Sequence, residues 1–249
     1  MSLKKQYFWK LEEFVNSTHS SLLNISFQTW ENDIQKNGVN IIMTSLANHL
    51  NLSYFEIDLS KNDIGDEGSK HLSLVLSKLV NLKILKVQIS DNGIGMSGVQ
   101  AICNALLKCD KIQELKLDLE KNLICDNEII FIGSTLEKCA EIQKLQLGLS
   151  KNEFGNQSMS ILGCFLAKCK NLSSLSVNFS SCFNGKKCAE KGEILSNFVL
   201  ALKNSQSLND LSLELLESSI NDKIITILAQ NLLKCQSLQA LNLDLGIKC

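Results

Sequence analysis

Leu52-Ser-Tyr-Phe-Glu-Ile-Asp-Leu-Ser-Lys-Asn-Asp-Ile-Gly65 is the stretch that decides the fold. From Phe55 to Ser60 apolar and polar residues alternate, the period of a strand with one buried face. The pattern L-x-x-L-x-L-x-L-x-x-N-x-I-G then starts again at Leu82, Ile112, Ile142 and Leu172, each 30 residues after the last. A weaker first copy starts at Leu22, with Ile25, Phe27, Asn32 and Ile34 in register, and two late copies start at Leu208 and Leu238. Recurrence at such a period marks a repeat architecture, here with eight strand units.

The second half of each unit changes period. Between Gly98 and Lys108 the apolar residues Val99, Ile102, Cys103, Leu106 and Leu107 fall at helical spacing, and Ser158 to Lys168 and Asp222 to Lys234 behave alike. One strand and one helix cannot bury their own apolar faces, whereas stacked copies share a continuous core. Parallel strands stack ~4.8 Å apart while packed helices need about 8–10 Å, so such a stack is expected to curve with its strands inside.

These units resemble the ribonuclease-inhibitor-like class of leucine-rich repeats, whose copies read LxxLxLxxN followed by a helix. The resemblance covers about residues 20 to 249. It implies an α/β horseshoe arc, with eight parallel strands on the concave face and helices on the convex face. The chain departs from the class by an extra apolar-polar pair before the Asn, as in Leu145, Leu147, Leu149 and Asn152, which predicts longer strands. Residues 1–20, where Leu3, Tyr7, Leu11 and Phe14 form one helical stripe, are expected to be an amphipathic capping helix on a repeat domain spanning 21–249.

Composition narrows the function classes. Apolar residues make up 45% and charged residues 20% of the 249, the balance of a globular protein. All 25 basic residues are lysine, the formal net charge is −1, and there is no arginine or proline. Without arginine and with no lysine cluster beyond Lys186-Lys187, a nucleic-acid partner is not expected. No signal-peptide core opens the chain and no stretch approaches the ~20 apolar residues of a membrane helix, so a cytoplasmic, reducing location without membrane attachment is expected.

Two residue columns look chemical. Asn32, Asn62, Asn92, Asn122 and Asn152 share one position, continued by Cys182 and Ser218, and read as a structural asparagine ladder satisfying buried turns. Cys109, Cys139, Cys169 and Cys235 share another, with His19, His49, Leu79 and Ser205 in the same place elsewhere. Zinc is the alternative there, but no CxxC pair exists and Leu79 interrupts the line, so buried thiols are expected and no metal. Cys103 and Cys164 read as helix packing residues. His71 reads as the start of a helix, and no hydrolase, phosphate-loop, zinc-protease or kinase motif appears, so neither catalysis nor a cofactor is expected.

Function is therefore sought on the concave face. Its outward columns hold Glu56, Asp58, Lys86, Lys116, Asp118, Glu120, Glu214 and Asp244, six acids against two lysines, which suits other proteins with a basic surface. Trp30 and Leu216 are further contact candidates in those columns, with Trp30 packed under the N-terminal cap as the competing reading. Between Leu172 and Leu208 the spacing is 36 rather than 30, which places a six-residue insertion around 182–192, including Lys186 and Lys187. Beyond the eighth strand no helix follows, so the C-terminal end is expected to dock on a partner or self-associate. A non-enzymatic scaffold or adaptor of an intracellular assembly, such as a cytoskeletal or ciliary complex, is the leading reading. A GTPase activator like the Ran-type leucine-rich-repeat activators is the alternative, though an arginine finger from this chain is excluded. Inhibition of a nuclease is the third.

Overall fold

Strand alternation and helical spacing trade places down the chain as the pattern requires. A computed structural model describes residues 6–8, 24–28, 35–46, 51–182, 188–216 and 222–245. Nine strands occur among them: β1 (Gln6–Phe8), β2 (Asn24–Gln28), β3 (Tyr54–Asp58), β4 (Ile84–Gln88), β5 (Glu114–Asp118), β6 (Lys144–Gly148), β7 (Ser174–Asn178), β8 (Asp210–Glu214) and β9 (Ala240–Asp244). Seven helices occur: α1 (Gln35–Leu46), α2 (Gly65–Leu76), α3 (Met96–Leu106), α4 (Asp126–Leu136), α5 (Asn156–Ala167), α6 (Cys188–Leu202) and α7 (Asp222–Leu232).

The chain forms two compact units, Met1–Asn122 and Leu123–Cys249. In the first, β1 to β5 pair in parallel and in sequence order. In the second, β6 to β9 do the same. Parallel neighbours need crossover connections, and right-handed crossovers between successively added strands place every helix of a unit on the same side of its sheet. Burial agrees: Phe55, Ile57, Leu85, Val87, Leu115 and Leu117 are buried, and the residues between them are half-exposed. Consecutive helices pack side by side over that core within each unit.

Three expectations are corrected. Nine strands stand where eight were read, because Gln6–Phe8 pairs with β2 through Gln6↔Ile25 and Phe8↔Phe27. That strand also removes the capping helix from residues 6–8, since an open parallel edge offers the backbone hydrogen bonds that helical spacing in a short segment cannot outbid. Leu3, Leu11 and Phe14 lie outside the described residues. The strands are not lengthened by the extra apolar-polar pair, each repeat strand having five residues. The pair instead carries the pairing past the strand end: Leu59 N–H donates to Gln88 O (2.8 Å) and Lys61 N–H to Ser90 O (2.9 Å).

The insertion is partly helical. Ser174 pairs with Asp210, a step of 36, and α6 has 15 residues where the other helices have 11 or 12. Lys186 and Lys187 lie outside the described residues. Among the described residues no helix is long and apolar enough to cross a membrane.

Candidate protein-binding face

The turn that ends each strand sets the geometry of everything beyond it. The residue after the strand extension lies in the left-handed region at Lys61 (φ 57), Asp91 (φ 54), Lys121 (φ 50), Lys151 (φ 56) and Ser181 (φ 57). A side chain there costs about 1 kcal/mol, so the turn must be held by something stronger. That something is the asparagine column. Asn92 Oδ1 accepts the N–H groups of Asn62 (3.0 Å) and Ile64 (3.2 Å), and its amide donates to Leu59 O (2.9 Å) and Ser90 O (3.0 Å). Asn122 repeats this with Asn92 N–H (3.1 Å), Ile94 N–H (3.0 Å) and Ile89 O (3.0 Å). In the second unit Asn152 accepts Ile124 N–H at 3.2 Å, while Cys182 donates its thiol to Leu149 O at 3.0 Å. Asn32 and Ser218 lie outside the described residues.

The cysteine column answers a different need. The last carbonyls of a helix fall outside its own ladder; Leu76 O and Leu136 O accept Leu79 N–H (3.0 Å) and Cys139 N–H (3.1 Å) from the closing turn and keep a second lone pair for another donor. The Cys109 thiol donates to Leu76 O (3.2 Å) in the last turn of the preceding α2, and Cys169 Sγ stands 3.6 Å from Leu136 O at the end of α4. Burial pushes the Cys139 thiol up to about 11 and that of Cys169 to about 12. Cys103 is buried, whereas Cys164 is exposed and is no packing residue. His71 lies inside α2 rather than at its start. Among the described residues no three His, Cys, Asp or Glu side chains are placed to hold a metal ion.

The sheet side opposite the helices holds the candidate contacts. In the first unit β3, β4 and β5 bring Glu56, Lys86 and Lys116 into one row, Asp58, Gln88 and Asp118 into the next, and Ser60, Ser90 and Glu120 into the row beyond. In the second unit Ser212 and Asn242 share a row, as do Glu214 and Asp244. Leu216 is 36% exposed just past β8. Trp30 lies outside the described residues.

Many of these side chains are already held. Asp58 accepts Ser60 N–H (3.0 Å) and Asp118 accepts Glu120 N–H (3.1 Å), each closing the turn after its strand. Asn178 does the same job for Ser180 without a charge (2.9 Å). Burial raises the Asp118 carboxyl above the ordinary value, opposed by the Glu120 N–H and by Lys116, with Asp58 adding to the rise. Lys116 hydrogen-bonds Gln88, and the Tyr54 hydroxyl bonds the Glu56 carboxylate. Lys86 reaches Glu114 at 3.3 Å and lies 5.9 Å from the Tyr54 ring centroid.

A fourth outward row was not read from the sequence. Tyr54, Ile84 and Glu114 line its first-unit part, and Lys144, Ser174, Asp210 and Ala240 its second. The alternation that gave the other rows extends one step toward the N-terminus and would have found it. Two of its members, Tyr54 and Glu114, fix the neighbouring row.

No known family model matches the chain, and no curated protein matches it.

Proposed function

We propose that this chain is a leucine-rich-repeat solenoid of the ribonuclease-inhibitor-like class, acting as a non-enzymatic scaffold that captures protein partners on the polar face of its strands. The observation that carries the reading is the row geometry of β3 to β5. Half-exposed Glu56, Asp58, Asp118 and Glu120 stand in register on one sheet, several of them fixed by bonds within the face. Side chains that are already ordered lose little freedom on binding, and an acidic excess steers a basic surface toward them. The partner is a protein with a lysine- or arginine-rich surface, met inside the cell as part of a larger assembly.

Amide replacement is a clean test, because Asn178 already performs the turn-closing role that Asp58 and Asp118 perform. Replacing Asp58, Asp118, Glu214 and Asp244 by Asn, Asn, Gln and Asn removes charge and keeps an acceptor. Partner capture from native cells should fall several-fold at low salt, and the difference from wild type should close near about 0.5 M salt, where screening is short-ranged. Equal capture of the same proteins by both forms at low salt would sink the reading.

A further inference from the structure

The helix side of the first unit carries a second surface of different chemistry. Between α2 and α3 runs an open groove of ≈ 420 Å³, floored by Leu74, Ala101 and Ala105 and flanked by Asn104, with Lys70 and Lys108 among its walls. The groove exists because α3 is thin there. Where α3 has Ala101, the equivalent positions one repeat before and two repeats after carry bulkier His71 and Ile161, and Phe131 follows directly. Leu74 is 63% exposed, while its equivalents Thr44, Asn104 and Ser134 are polar. An apolar floor has thus been opened where the adjoining repeats fill or polarise it.

α3 itself carries no charged residue in Met96–Leu106, so the charges lining the groove are the two lysines, Lys70 and Lys108. Lys70 is paired with Glu67 on its own helix at 2.6 Å, whereas Lys108 has no carboxylate partner among the described residues. An apolar trough with Lys108 at its wall and Lys70 beside it is complementary to a helix with apolar side chains on one stripe and acids beside it.

We propose that the α2–α3 groove docks an acidic amphipathic helix of a partner protein, its apolar stripe on Leu74, Ala101 and Ala105 and its carboxylates toward Lys108 and Lys70. The chain then grips proteins on two sides: a basic surface on the strands and an acidic helix on α2 and α3. This surface stands apart from the strand-face reading and survives if that reading fails.

The test is selection of a displayed library of amphipathic helices, with charged positions randomised, on the full chain. Enriched helices should be acidic beside an i, i+3/i+4, i+7 apolar stripe. Their affinity should drop about tenfold for Ala101→Phe, which fills the trough, and comparably for Lys108→Glu, which reverses its border and leaves the core alone. The Asp58/Asp118/Glu214/Asp244 amide form should bind them as wild type does. Three results would overturn the proposal: no acidic enrichment, enriched helices indifferent to both Lys108→Glu and Leu74→Ser, or groove-dependent binding of anionic phospholipid vesicles in place of helices.

Discussion

At the residue scale, the chain is held together by side chains that repair backbone defects the repeat itself creates. Asn92 is 2% exposed and serves two backbone donors and two carbonyls, so truncation strands them in a dry turn. Asn92→Ala should cost about 3–5 kcal/mol in urea unfolding, given roughly 1–3 kcal/mol for each unsatisfied buried group. Asn92→Cys should cost less, because a thiol in this column can still donate, as Cys182 does to Leu149 O. Equal losses would show that the donor half of the ladder contributes nothing. The thiols give a pH test. With Cys139 at about 11 and Cys169 at about 12, both stay protonated at about pH 8, where a disulfide reagent should modify exposed Cys164 and Cys125 ahead of half-exposed Cys139 and leave buried Cys169 until unfolding. The sign for stability follows: unfolded thiols ionise near 9.0 while the folded ones do not, so stability from both is intact below that value and is lost as pH climbs through the folded values. The asparagine ladder was legible in the sequence from its spacing alone. Which carbonyl each cysteine serves was not, because that depends on how one repeat overlies the end of the preceding helix.

At the element scale, alternation named the strands and helical spacing named the helices, but the start of the chain misled. The stripe through Tyr7 fits a helix, yet Gln6–Phe8 is a strand, because the free edge of β2 decides the matter and local spacing does not. The six-residue insertion was legible as a number. Its form was not, since extending α6 and enlarging a loop give the same spacing. Helix contacts were also hidden. Carboxylates bridge repeats, Asp66 Oδ1 accepting Gly95 N–H (2.8 Å) and Gly98 N–H (2.9 Å) at the start of α3. A charge there caps a helix belonging to the next repeat. Gly163 marks a close approach of α5 and α6: a Cβ would fall 2.7 Å from Phe198 O and 2.8 Å from Ala201 Cβ. Alanine favours a helix over glycine by about 1 kcal/mol, but backbone oxygen cannot yield as a side chain can. Gly163→Ala should therefore lower stability by about 1–3 kcal/mol, and a raised melting temperature would show that α5 and α6 separate freely.

At the scale of the whole molecule, the strands present a polar and acidic face, and the helices of the first unit present an apolar groove with a cationic border. The face was legible because alternation separates inward from outward residues, and three of its rows followed directly. What the sequence hid is that Asp58 and Asp118 spend one oxygen on their own turns and that Tyr54 and Glu114, from the overlooked row, hold Glu56 and Lys86. Under the proposed reading the acidic excess therefore acts as a field more than as a set of loose contacts. The most direct test is photo-crosslinking in native cells from a reactive residue placed at Lys116, Ser176 or Ser212 on the strand face. The account predicts discrete protein adducts from these positions, enriched in lysine-rich or arginine-rich segments, and weakened when Asp58, Asp118, Glu214 and Asp244 are made neutral. A strand face that yields no protein adducts, from a chain shown to be folded in the same cells, would contradict it.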